Sequence, residues 1–265
     1  MKRFLFILAL VLACAGPSSA QDKPPLRLAQ TIDVPGARKW DHFGVDLKGN
    51  RLFASSEEEP AVEVFNLKTG EHLRSLTEFK EPHNVLPFPE LKKIYVVDGE
   101  ASEIKVLDYD SYKLIGHIPL SIDSDPVIYD AASKYLYVVN GGREAHTPTC
   151  LISVVDTATD KKLADIKLDS NRLESMAIEK SGLRLFVNMT GINSIGVIDR
   201  EKRTVIHTWP ITSAKENVPL QYDDSTHRLF LATRKPSRLV VVNAENGKEV
   251  TSLDVADYVD DLSYD

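Results

Sequence analysis

The chain has 265 residues, 43% of them hydrophobic and 27% charged, and a formal net charge of −7 at pH 7. That balance argues against generic binding to nucleic acid or to anionic membranes, which depends on a basic surface. The composition is that of a globular domain without low-complexity tracts.

Lys2 and Arg3 precede a short apolar run, residues 4–13, and Pro17-Ser18-Ser19-Ala20 follows. A positive start, an apolar core of about ten residues and a small-residue site predict a signal peptide over 1–20, cleaved after Ala20. The run is too short to span a bilayer, which takes about 20 residues, so no transmembrane segment is expected. Loss of Lys2 and Arg3 would take the charge to −9. Val11-Leu12-Ala13-Cys14 also resembles a lipobox, which would make Cys14 a lipid anchor. The expected address is periplasmic or secreted. After cleavage Cys150 is the sole cysteine, which leaves no intrachain disulfide. It follows Thr147-Pro148-Thr149 and reads as a loop cysteine beside a strand rather than a catalytic thiol.

Residues 21–265 read as one domain built of repeats. A hydrophobic pair recurs five times: Leu52-Phe53, Ile94-Tyr95, Leu136-Tyr137, Leu185-Phe186 and Leu229-Phe230. The aromatic anchors lie 42, 42, 49 and 44 residues apart. Each pair is followed by an alternating strand closed by Asn or Asp, at Asn66, Asp108, Asp156, Asp199 and Asn243. A period in the forties made of short strands predicts an all-β fold: a β-propeller of four-stranded blades, one blade per repeat. The closing Asn and Asp residues are expected to bond their own turns. The third repeat is longer, at residues 141–149, a loop that could serve binding.

The segments Tyr95-Val96-Val97-Asp98, Tyr137-Val138-Val139-Asn140 and Phe186-Val187-Asn188-Met189 resemble the second strand of the YVTN family of β-propeller repeat proteins. The resemblance implies an exported bacterial propeller, often of seven blades. Five repeats are complete here. Residues 256–265 read as the first strand of a sixth, and residues 26–34 as an outer strand. The expectation is therefore a truncated seven-bladed ring.

The inner strand of each repeat should begin at the axial funnel with polar groups: Asp41-His42, His83-Asn84, Asp123-Ser124-Asp125, Glu174-Ser175, Glu216-Asn217, then Asp260-Asp261. The expected ligand-binding set is His42, His83, Asn84, Asp125, Glu174 and Asn217. Asp125, Glu174, Glu216 and Asp260 are the carboxylates for a divalent cation. Oxygen ligands favour Ca²⁺ or Mg²⁺, whereas the His42/His83 pair tolerates Zn²⁺ or Mn²⁺. Two functions stay open. One is a non-enzymatic propeller that engages a protein or small-molecule ligand through its axial face. The other is a metal-dependent hydrolase or lactonase with His42, His83 and Glu174 as catalytic candidates: Glu174 or Asp125 as metal ligand, His42 or His83 as proton carrier. A redox-partner subunit is a third, without a cofactor signature. Nucleophile elbow, P-loop, zinc-protease and haem-attachment motifs are absent from the sequence.

Overall fold

Runs of β-branched and aromatic residues between Gly, Asp and Asn turns set the strands. The structure, a computed structural model, describes residues 27–36 and 39–263. The signal peptide and Cys14 lie outside the described residues. Blade 1 consists of β1 (Trp40–Asp46), β2 (Arg51–Ser56), β3 (Ala61–Asn66) and β4 (His72–Leu76). Blade 2 is β5 (Pro82–Phe88), β6 (Lys93–Asp98), β7 (Glu103–Asp108) and β8 (Leu114–Pro119). Blade 3 is β9 (Asp125–Asp130), β10 (Tyr135–Gly141), β11 (Cys150–Asp156) and β12 (Lys161–Leu168). Blade 4 is β13 (Met176–Ile178), β14 (Arg184–Met189), β15 (Ser194–Asp199) and β16 (Thr204–Pro210). Blade 5 is β17 (Lys215–Asp223), β18 (Arg228–Lys235), β19 (Ser237–Asn243) and β20 (Glu249–Asp254). Each blade is an antiparallel meander in sequence order. One short 3-10 turn, Thr190–Ile192, is the only helical element among the described residues.

The blades are β-propeller blades, and their middle strands are buried on both faces. Phe53, Tyr95, Tyr137 and Phe186, four of the five repeat anchors, are at most 1% exposed. Between blades 1 and 2 pack Phe53, Val62, Val64, Ile94 and Val96. Between blades 2 and 3 pack Tyr95, Val97, Ile104, Leu136 and Val138. The 3/4 and 4/5 seams repeat the pattern. The fifth anchor, Phe230, stays half-buried. No sixth blade covers its face among the described residues, and Phe43 and Val45 of β1 are exposed on blade 1.

Hydrogen bonds staple neighbouring blades at the end where the inner strands finish. Asp46 of blade 1 accepts from Arg51 Nη2 at 2.8 Å and from Tyr109 Oη of blade 2 at 2.7 Å. Arg51 in turn donates to Tyr109 O at 2.8 Å. Tyr95 of blade 2 donates to Asp160 Oδ1 of blade 3 at 2.6 Å. Arg200 of blade 4 pairs with Asp130 of blade 3, and Arg184 of blade 4 donates to Ala244 O of blade 5. The strand-closing residues act as expected: Asn66 Oδ1 accepts from Lys68 N and Thr69 N at 3.0 Å. Asp108 accepts from Ser111 N at 2.8 Å, and Asp156, Asp199 and Asn243 do likewise in their own turns.

Two expected strands do not form. Residues 27–34 and 255–263 carry no ladder. A strand needs a neighbour in its own sheet, and neither segment finds one among the described residues. The latter meets inner strands at two points: Gln221 Nε2 of β17 donates to Leu262 O at 2.9 Å, and Asp261 Oδ2 lies 3.4 Å from His42 Nδ1 of β1. Five four-stranded blades lie among the described residues, one for each complete repeat.

Candidate functional site

The inner strands begin at the opposite end, and there four of the five carry a β-bulge. The register slips between Trp40 and Phe43, between Pro82 and Val85, at Pro126, and between Asn217 and Leu220. Proline has no N–H for a ladder and is at home at such irregularities. A bulge turns the extra residues out of the pleat and re-aims their side chains. Asp41, His42, His83 and Asn84 are the bulged residues of blades 1 and 2. Two close approaches fix them. A Cβ on Gly44 would run into the carbonyl oxygen of Val85, so the inner strands of blades 1 and 2 nearly touch. A Cβ on Gly99 would lie 2.7 Å from His83 Nε2 and 3.2 Å from Ser124 O.

His42 is the centre of the cluster. Its Nε2 is 3.6 Å from Asp125 Oδ1 of blade 3 and 3.8 Å from Asp41 Oδ1. Its Nδ1 is 3.4 Å from Asp261 Oδ2, beyond blade 5. Burial works against protonation, but the contacts with Asp125 and Asp261 and the charge of Asp41 raise the imidazole pKa to about 11. Buried His83 stands behind Asp41, with Nδ1 at 2.7 Å from Asp41 Oδ2 and Nε2 at 3.7 Å from Glu81 Oε2. Burial again opposes its charge; Asp41, Asp125 and Glu81 prevail and raise it to about 9. Asn84 Nδ2 donates to Asp125 Oδ1 at 3.1 Å.

Donor atoms of Asp41, His42 and Asp125 all lie within 4.8 Å of one another, and so do those of Asp41, Glu57 and His83. Glu57 is already bound to Lys39. A third group, Glu179, His227 and Glu245, sits at the stapled end of the blades. There Arg184 Nε holds both oxygens of Glu179 at 3.0 Å.

Beside the histidines, a cleft of about 190 Å³ opens between blades 3 and 4. Asp123, Asp125, Arg143, Cys150, Arg172 and Glu174 line it. Glu174 accepts from Arg172 Nε at 2.7 Å. Burial raises its carboxyl above the usual range; Arg172 opposes this and Asp125 adds to it. Arg143 belongs to the longer loop of the third repeat, which is tied to blade 4 by Arg143 N donating to Asn171 O at 2.9 Å. The thiol of Cys150 is buried, and burial raises its pKa to about 11.

His42, His83, Asn84, Asp125 and Glu174 thus sit around one end of the inner strands. The other sequence-derived candidates are held elsewhere. Glu216 pairs with Lys235 Nζ at 2.6 Å, which keeps its carboxyl low. Asp260 pairs with Arg234. Asn217 is fully buried and donates to Asn188 Oδ1 at 2.7 Å and Ser194 O at 3.0 Å, inside the 4/5 seam. Sequence reasoning set Asp41 beside His42 at the funnel but left it out of the ligand set, and it did not single out Glu57, which stands in an acidic run.

No family model matches the chain, and no curated protein matches it. Among solved structures, Kuenenia stuttgartiensis hydrazine synthase is similar, with a TM-score of 0.71 and 17% sequence identity. The match covers 84% of this chain and 67% of that one. At that identity the likeness is one of fold.

Proposed function

We propose that the chain is a binding propeller that holds a divalent cation at the axial end, through Asp41, His42 and Asp125, and takes its ligand there. The observation that carries this reading is the convergence of one imidazole and two carboxylates from blades 1 and 3. Their outer layer supports it: His83 orients Asp41 and Asn84 orients Asp125, the kind of second shell that metal ligands carry. Mixed nitrogen and oxygen donors favour Mn²⁺ or Zn²⁺ over Ca²⁺ and Mg²⁺. The cleft beside the cluster gives a small polar ligand room next to the ion. The leader over residues 1–20 supports an exported protein.

A hydrolase or lactonase is the second reading. The raised carboxyl of Glu174, in the cleft that Asp125 also lines, favours it. A carboxyl raised in this way is suited to hand on a proton, while an ion would polarise a carbonyl and activate water.

Titration calorimetry of chelator-treated protein with MnCl₂, ZnCl₂, CaCl₂ and MgCl₂ tests the first reading. One equivalent of Mn²⁺ or Zn²⁺ should bind, more tightly as pH rises because the ligands must lose protons. Asp125→Asn and His42→Ala should each weaken binding at least tenfold. Absence of heat with all four ions, or binding untouched by both substitutions, overturns it. The hydrolase reading stands or falls on whether Glu174→Gln abolishes a metal-dependent turnover of aryl esters or lactones.

A further inference from the structure

At the other end of the inner strands, a cavity of about 460 Å³ opens where β9, β13 and β17 finish. Its lining is mostly apolar. Ala177 is buried, while Ile128, Ile178 and Tyr129 are only half-buried and leave apolar surface facing the empty space. Tyr129 and Tyr222 contribute aromatic walls. Covering that surface is worth roughly 25 cal/mol per Å².

The charges around this cavity are unequal. Asp130 is neutralised: it pairs with Arg200 and accepts from Ser133 Oγ at 2.7 Å and Ala132 N at 3.0 Å. Asp224 is occupied by Lys180 N at 3.1 Å, Ser181 N at 3.0 Å and Ser181 Oγ at 2.7 Å. Lys180 is exposed, and its charge helps to hold the Asp224 carboxyl low. An apolar cavity with aromatic walls, a few polar groups and an exposed cation at its mouth has the build of a small-molecule site, for which about 300–1,000 Å³ is usual.

We propose that this cavity binds a small aromatic anion, its ring against Tyr129 and Tyr222 and its acidic group at Lys180. The site is separate from the histidine cluster and needs no metal.

Naphthalene-2-sulfonate is the probe, measured by titration calorimetry against full-length protein. It should bind one to one, and the neutral naphthalene-2-methanol at least tenfold more weakly. Lys180 and Ala132 are exposed, so Lys180→Glu and Ala132→Trp can alter charge and fill the mouth without touching the packed seams; an unchanged urea midpoint verifies that. Each should weaken sulfonate binding at least tenfold, and Asp125→Asn should leave it unchanged. No binding at millimolar sulfonate overturns the proposal. So does equal binding by both variants, or loss of binding in Asp125→Asn.

Discussion

Removing the carboxylate of Asp46 should loosen the ring at its 1/2 seam. The side chain is 1% exposed and that of Arg51 is 10% exposed. Asp46 also accepts from Gly49 N at 2.8 Å. Asp46→Ala leaves the Arg51 guanidinium buried without its counter-ion, which costs about 3–5 kcal/mol. Against a total stability of about 5–15 kcal/mol that is a large share. With a urea slope of about 3 kcal/mol per M, the midpoint should fall by roughly 1–1.7 M. The double variant Asp46→Ala/Arg51→Met removes the orphaned charge and should recover at least half of the loss. Burial by itself would raise the Asp46 carboxyl, but Gly49, Tyr109 and Arg51 hold it below the usual range. Its contribution is therefore complete above the unfolded value of about 3.9 and is lost as pH falls through the folded value. Asp46→Asn should flatten the stability curve in that acid window. Urea titrations of the variants, read by tyrosine and tryptophan fluorescence, measure all three effects. A loss under about 1 kcal/mol for Asp46→Ala, or a double variant weaker than the single, would refute the staple.

Gly99→Ala should displace His83, because the new methyl group meets its ring and the carbonyl of Ser124; cation affinity should drop several-fold with the urea midpoint nearly unchanged, as read by calorimetry beside the titration. Asn217→Ala should cost about 1–3 kcal/mol of stability by stripping partners from buried Asn188 and Ser194, and leave cation affinity alone. Cys150 should resist a thiol reagent such as dithionitrobenzoate in the native state and react at once in denaturant, since a buried thiol with a raised pKa offers little thiolate.

Blade architecture was open to reading because its causes are local and repeated. An aromatic anchor every forty-odd residues must be buried between sheets, and Phe53, Tyr95, Tyr137 and Phe186 are. An Asn or Asp at the end of a strand bonds its own turn, and the five here do. The site was readable in part. His42, His83, Asn84, Asp125 and Glu174 were placed near the axis by blade arithmetic. The division of labour among them was not readable, since strict alternation gives no sign of a bulge. Slipping one residue turns a side chain to the other face of a strand. That slip brings Asp41 to the middle of the cluster, whereas Asn217, the last paired residue before the bulge of blade 5, is turned into the seam. Residues 27–34 and 255–263 look like strands by pattern, but a strand is a pairing, and pattern cannot supply the partner.

Anomalous diffraction from crystals grown with Mn²⁺ or Zn²⁺ tests the central claim most directly. A single strong peak within coordination distance of Asp41, His42 and Asp125, lost in Asp125→Asn, is the predicted result. A map without a peak there, or with its only peaks at surface carboxylates, contradicts the account.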